Sequence, residues 1–465
     1  MSIIHHVSIL DNGIESMDLN FIFKHIKGNG RSVIVKKNIL ASFVIKGISI
    51  LVSFLLVPIT IGYVSAELYG VWLALSSIIY WIHIMDLGFS QGLKNKLAEA
   101  IADNDWQRGK SLVSTTYIII SLIIIPVGIL LELLIPFINW CSLLNVSPVY
   151  YEEIVQVLRV LVVFVCIQMI VNVLTNVVAA FQRVAFSSLF AVIGQIIALL
   201  VIILLTKTMP PSLMGLAFAY SAVPVLVFII ASALLYSKRY KMVAPDFKSF
   251  DKSYINDIVK LGFKFFILNI QVVVLYQATN ILISNVSSPL QVTSYNIAYK
   301  YVHTAMMVYL IVISPLWPAY TDAYARRDYS WMRYMRNKMA KILCFCIVAI
   351  VLMVAISPFV YQIWIGERAN VPLIMTCLVA IYVCIYCWSN LNGYLLNGMG
   401  KLKLATYIAC IGMVIHIPLS LYLSQYIGAY GVITSMILIN LVYAIFFYIQ
   451  VNLILSRRAK GIWLE

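Results

Sequence analysis

Twelve stretches of about twenty apolar residues recur along the chain, at roughly 39–63, 69–90, 113–136, 153–176, 187–206, 213–236, 262–284, 292–314, 339–361, 371–393, 405–424 and 430–453. Each is long enough to cross the roughly 30 Å hydrocarbon core of a bilayer as a helix. Lipid offers no partner to a backbone N–H or C=O, so a spanning segment of this kind must bond to itself as an α-helix. Composition agrees: of 465 residues, 62% are apolar and 11% charged, against about 45–50% and 25% in soluble domains. The fold class expected is an all-α integral membrane protein of 12 transmembrane helices.

The formal net charge of +15 would point to nucleic acid in a soluble chain. Here its distribution matters more than its sum, and no nucleic-acid partner is expected. Of the 33 lysines and arginines, 28 fall in, or within a turn of, the connections on one side of the spans. Lys207 and Arg368 lie on the other side, and Lys46, Arg159 and Lys300 fall inside spans. This bias places both termini in the cytoplasm. The polar start, "MSIIHHVSIL", lacks the basic region and small-residue cleavage site of a signal peptide. His5 and His6 read as part of a solvated tail.

A weak internal repeat divides the chain. "RVAFSSLFAVIG" from Arg183 to Gly194 matches "KLKLATYIACIG" from Lys401 to Gly412, 218 residues later. "MGLAFAY" around Gly215 and "YGVITSM" around Gly431 follow at nearly the same offset. Spans 5–6 and 11–12 share orientation, so the repeat is parallel, its axis along the membrane normal. The expected organisation is a cytoplasmic tail (1–38), a six-helix lobe (39–237), a basic linker (238–261), a second six-helix lobe (262–453) and a cytoplasmic tail (454–465).

Ionisable residues inside a membrane are costly and mark candidate functional positions. Lys46 shares a face of span 1 with Ser42, Ser49 and Ser53. Asp86, near the cytoplasmic end of span 2, lies at a similar depth. An Lys46–Asp86 ion pair facing the interior is one expectation; the other is that Asp86 snorkels to water and ends its helix. In span 8, Thr293, Asn296, Lys300, His303 and Thr304 share one stripe, either lining a wet interior or forming a helix–helix hydrogen-bond seam. Arg159 in span 4 is half a turn out of phase with the Gln168/Asn172/Asn176 stripe; Glu152 or Glu153 is its expected partner. Glu132 is expected to snorkel at the outer edge. Prolines in or beside spans (Pro58, Pro126, Pro224, Pro358, Pro418 among them) fit helices that bend.

Catalytic and cofactor patterns are absent from the sequence. No G-x-x-x-x-G-K-[ST], H-E-x-x-H or G-x-S-x-G occurs, and neither a cofactor nor a metal is expected. "CIYC" at Cys384–Cys387 has redox spacing, but in an apolar span it reads as packing. His83, His303 and His416 occupy separate spans and read as packing histidines unless a partner acid is found.

The segment "YGVWLALSSIIYWIHIMDLGFSQGLKNKL" resembles the second span of the polysaccharide-transporter family, flippases of O-antigen and related lipid-linked oligosaccharides. "LGFKFFILNIQ", "TNILISN", "VTSYNIAYKYV", "SPLWPAYTDAYARRDYSWM" and "LNGMGKLKL" extend the likeness, which covers about Lys37 to Ala459. This family lies within the multidrug/oligosaccharidyl-lipid/polysaccharide export superfamily. The resemblance implies two six-helix lobes in a MATE-like V around a central cavity. It implies transfer of an undecaprenyl-pyrophosphate-linked oligosaccharide across the bacterial inner membrane by alternating access. Polymerase and glycosyltransferases of the same pathway would be its partners beside membrane lipids. Cavity cations in such proteins hold the substrate's negative charge; Lys46 and Lys300 are the positions assigned that role, with Asn296, His303 and Arg159 as further binding candidates and Asp86 for pairing or coupling. A cation-coupled multidrug antiporter and a membrane enzyme of polysaccharide assembly are the competing readings. The superfamily's drug antiporters usually use acids deep in the N-terminal lobe, whereas this lobe has only Asp86 and Glu132, both toward span ends.

Overall fold

The computed structural model describes residues 30–83, 89–181, 183–255, 277–313, 316, 320, 323–324 and 326–464. The first half holds α1 (Gly30–Val64), α2 (Ala66–His83), the short amphipathic α3 (Phe89–Ala102) and α4 (Trp106–Leu134). It continues with α5 (Trp140–Leu144), α6 (Tyr151–Val171), α7 (Val173–Ala180), α8 (Val184–Thr208), α9 (Leu213–Ala217) and α10 (Val223–Ser237). The second half holds α11 (Ala278–Val286), α12 (Pro289–Ile313), α13 (Tyr329–Trp364), α14 (Leu373–Met399), α15 (Lys403–Ile427) and α16 (Ala429–Leu455). No strand occurs among the described residues, as expected where only helices satisfy their own backbone.

Nine helical segments among the described residues are long and apolar enough to cross a bilayer, so the chain is a multi-pass membrane protein. They match nine of the twelve expected spans. Of the other three, span 7 falls largely on residues 256–276 and span 2 runs into 84–88, both outside the described residues. Span 8 is present as the 25-residue α12, but its polar stripe lowers its hydropathy. Its surface helps explain why that is tolerated: Leu290, Val308 and Val312 are the exposed residues among those described in α12, and every residue of the stripe is at least half-buried.

The two halves repeat one packing scheme. In the first, α6 touches α2, α4 and α10, while α8 packs on α10. In the second, α14 touches α12, α13 and α16, while α15 packs on α16. Matched glycines make the last contact of each set close: Gly194 lies against Pro224, and Gly412 against the Tyr443 hydroxyl.

Two helices break where the sequence provides a cause. Asn172 separates α6 from α7, and a π-helical turn, Phe218–Ala222, joins α9 to α10 just before Pro224. Proline cannot donate to the carbonyl four residues earlier, and such π turns often mark functional positions.

At the basic end, polar contacts tie the connections down. Lys96 pairs with Glu99 at 3.1 Å, and Arg108 with Glu99 and Asp103 at 3.4 and 3.6 Å. Residues 246–251 of the inter-half segment lie on the start of α4. Lys110 Nζ reaches Asp246 Oδ2 at 2.9 Å, Asp246 N donates to Ser114 Oγ at 3.0 Å and Asp251 N to Thr115 Oγ1 at 3.1 Å. The Lys110 ammonium and the Lys248 N–H hold the Asp246 carboxyl below the usual carboxylate range.

Among the described residues the halves meet along α2, α11 and α12, and the bonds that follow lie toward the end opposite the basic connections. Thr293 Oγ1 donates to Ala66 O at 2.6 Å and Ser284 Oγ to Leu144 O at 2.6 Å. Asn145 Nδ2 donates to Ser287 O at 2.5 Å. Deeper in, Asn280 Nδ2 donates to Ser77 Oγ at 2.7 Å, and Asn280 Oδ1 accepts from Asn296 Nδ2 at 2.8 Å. Gly70 of α2 sits so close to Pro289 that a Cβ there would overlap the Pro289 carbonyl.

Pro58 makes a further contact possible. Within α1 it leaves the carbonyl of Phe54, four residues back, without its helical donor. The Trp364 indole of the other half takes that carbonyl at 3.0 Å, its ring stacked on Phe54 at 4.7 Å between centroids.

Candidate functional site

A cavity of about 750 Å3 opens inside the first half, walled by α1, α2, α6, α8 and the π turn before α10. Three aromatic side chains, Tyr69, Trp72 and Tyr220, form one wall. Trp72 and Tyr220 stack at 5.2 Å, and the Tyr220 hydroxyl is fixed by Thr60 Oγ1 at 3.0 Å. The amides of Gln168, Asn172 and Gln195 line the cavity as well. Ser49 Oγ donates to Gln195 Oε1 at 2.7 Å. Gln168 Oε1 is buried with no hydrogen-bond partner among the described residues.

Both helix breaks serve this cavity. The interruption after α6 places Asn172 on its wall, and the π turn delivers Tyr220 and Ser221.

One cation stands among the described lining residues, and it comes from the other half. Lys300 of α12 crosses the seam and donates from Nζ to Ser53 O at 3.0 Å. An ammonium has three donors; this bond uses one of them. Its carbonyl partner lies in the turn of α1 loosened by Pro58.

The remaining sequence candidates go to different places. The span-8 stripe divides: Thr293 and Asn296 are hydrogen-bonded in the seam between halves, while Lys300 lines the cavity. Thr293 and Asn296 thus follow the hydrogen-bond-seam reading. Asn296 Nδ2 is committed to Asn280 Oδ1 and Val292 O and does not line the cavity. His303 packs against Tyr299 at 5.0 Å between ring centroids. Lys46, seven residues before Ser53 and so on the same face of α1, is exposed about two turns toward the basic end. Lys46 and Lys300 thus do not share one closed chamber in this conformation. Asp86 lies outside the described residues, and with it the Lys46–Asp86 pair.

Arg159 corrects one expectation. Its partner is Glu132 of α4, with Nε and Oε2 4.0 Å apart, rather than Glu152 or Glu153. Glu153 instead accepts from Leu213 N at 2.9 Å. The phase offset from Gln168 explains why Arg159 turns to α4 while Gln168 and Asn172 face the cavity. Arg159 is half-exposed, and an open pair is worth about 0–1 kcal/mol. Arg159→Gln is therefore expected to leave transport and membrane level within about twofold of the parent, measured side by side in a deletion strain.

His416 is a buried packing histidine, its Nδ1 3.1 Å from Ser435 Oγ between α15 and α16. All eight cysteines are free. Sequence reasoning passed over Tyr69, Trp72, Tyr220 and Trp364, because aromatic residues make up 13% of the chain. Pro58 was the available signal for Trp364, and Pro224 for the turn that positions Tyr220.

Comparison with solved structures establishes the fold. The chain aligns with an inward-facing MATE-family multidrug resistance transporter of the MOP superfamily at a TM-score of 0.75 and 16% identity, covering 90% of this chain and 98% of that one. An outward-facing MATE-family transporter aligns at 0.61 and 17%, over 91% and 96%. In sequence, a "Putative O-antigen transporter" of Salmonella typhimurium (strain LT2) is 23% identical over 191 residues. That match spans 40% of this chain and 44% of the relative's length. The family model described as polysaccharide biosynthesis protein matches residues 35–324, well over half of the chain. A MATE-like helical architecture and that match together settle its family: the chain is a member of the polysaccharide biosynthesis protein family.

Proposed function

We propose that the protein is a flippase, not an enzyme, carrying an undecaprenyl-pyrophosphate-linked oligosaccharide, such as an O-antigen or capsular repeat unit, across the bacterial cytoplasmic membrane. The observation that carries this reading is Lys300 crossing from one half into an aromatic- and amide-lined cavity of the other. A pyrophosphate cannot enter hydrocarbon alone, and a cation replaces part of its hydration. The Trp72–Tyr220 wall offers flat apolar surface to sugar rings, and the amides offer hydrogen bonds to hydroxyls. The polyprenyl chain stays in lipid.

The basic end is cytoplasmic on this reading, with both termini on that side. The described contacts between halves lie toward the opposite end, and the higher TM-score with the inward-facing relative supports reading this as an inward-open state. Alternation would exchange this seam for one at the basic end. Glycosyltransferases would load the carrier lipid before transfer and a polymerase would consume it afterwards.

Deleting the gene and locating the lipid-linked sugar tests the proposal. Accumulation in the inner leaflet, relieved by the intact gene, is the expected result. Normal sugar export accompanied by drug sensitivity would establish the antiporter reading instead.

A further inference from the structure

A second site lies in the other half, away from the cavity. At the basic end, Arg333 and Arg336 of α13 face Arg458 and Ser456, just beyond α16, across a pocket of about 480 Å3. Arg333 Nη2 donates to Leu455 O at 3.0 Å, which satisfies a carbonyl at the end of α16 that would otherwise face an anion. Arg336 is held by Asn452 Oδ1 at 2.6 Å and lies over the Tyr448 ring at 5.6 Å. Arg458 and Ser456 are exposed.

Arg336 also lines a second pocket, of about 380 Å3, which continues along α13, α14 and α16. Its walls are apolar: Leu343, Ile347, Trp388, Leu391 and the Tyr448 ring. From Arg336 to Ile347 the helix rises roughly 16 Å, close to the ~15 Å depth of one leaflet's hydrocarbon. Asn392 sits on the same wall, buried, with its Oδ1 lacking a hydrogen-bond partner among the described residues. Arg336 is seven residues inside the start of α13 and Asn392 seven before the end of α14, so both lie at about the same depth. No carboxylate stands among the described residues lining either pocket.

We infer that these two pockets form one binding site for an anionic phospholipid of the leaflet at the basic end. The phosphate lies among Arg333, Arg336 and Arg458, one acyl chain lies along the apolar groove, and Asn392 Oδ1 accepts from a hydroxyl of the headgroup. Three guanidiniums at the mouth of an acyl-length groove match a lipid carrying one negative charge and a hydroxyl-bearing headgroup, of which phosphatidylglycerol is the simplest. Basic pockets between helices at this level recognise such headgroups. The site is independent of the transported molecule and would be occupied by bulk lipid.

Trp388 in the groove supplies the probe. The full chain in nanodiscs is exposed to phosphatidylglycerol or phosphatidylcholine brominated on the acyl chains, and the Trp388 contribution is isolated as the difference from Trp388→Phe. Brominated phosphatidylglycerol should quench that contribution at roughly tenfold lower mole fraction than phosphatidylcholine. Arg333→Gln with Arg458→Gln should abolish the preference while both lipids still quench. Arg333→Lys with Arg458→Lys should retain most of it, which separates charge from folding. Equal quenching by the two lipids, or a preference that survives the glutamine pair, overturns the proposal. So does displacement by millimolar inorganic phosphate, which would indicate a free-anion site. Displacement by a polyprenyl phosphate at far lower concentration than phosphatidylglycerol would assign the groove to the carrier lipid and likewise reject it.

Discussion

Lys300→Met should lower polysaccharide export by roughly ten- to a hundredfold while leaving the amount of protein in the membrane unchanged. A hydrogen bond to a charged group is worth about 1.5–3 kcal/mol, and each 1.4 kcal/mol is tenfold in an equilibrium. The substitution preserves length and apolar stem while removing the only cation among the described cavity-lining residues. It also releases Ser53 O, but that carbonyl lies in a helix and retains local partners. Lys300→Arg should keep part of the activity, since a guanidinium carries charge and donors but is bulkier and planar. Surface polysaccharide in a complemented deletion strain, scored beside an immunoblot of the membrane fraction, provides the measurement. Full export by Lys300→Met at normal protein level would remove Lys300 from the binding role.

Gly70→Ala should shift the conformational equilibrium away from the state described here by roughly five- to a hundredfold. Its Cβ has nowhere to go: the Pro289 carbonyl occupies the space, and both groups are backbone-anchored, so no rotamer change relieves the overlap. Overpacking of this kind costs about 1–3 kcal/mol, and the strain falls on the contact between α2 and α12 rather than within either half. The seam should therefore part before the helices unfold. A cysteine at Ser76, which lines the cavity, in a background with native cysteines replaced by serine, should react faster with an impermeant maleimide added from the side opposite the basic connections. Export should fall with it. Labelling and export equal to the parent would mean that the two halves do not need this close approach.

Much of the architecture was legible because lipid leaves so few options. Span positions followed from run length, and the distribution of lysine and arginine gave their alternation. The thin repeat between Arg183–Gly194 and Lys401–Gly412 pointed to two similar halves, and the glycines that end those matched segments make close helix contacts in both. Lys300 could be singled out because a lysine in mid-span demands an explanation. What the span-8 stripe does could not be read, since Thr293, Asn296 and Lys300 share a helical face but meet different neighbours at different depths. The partner of Arg159 was misplaced for a related reason. Residues near in sequence, Glu152 and Glu153, were preferred over Glu132, which only the packing of α4 on α6 brings within reach. The aromatic wall was hidden by abundance: Trp72 and Tyr220 look like any other interfacial ring until a π turn sets one upon the other.

The bond from Lys300 to Ser53 has a consequence for an unloaded carrier. Parting the halves would strip this ammonium of its Ser53 carbonyl partner, so the vacant protein resists the excursion. A phosphate arriving beforehand would take over that duty, lowering the barrier only when cargo is aboard. On this account the same contact that welcomes the anion also discourages idle turnover.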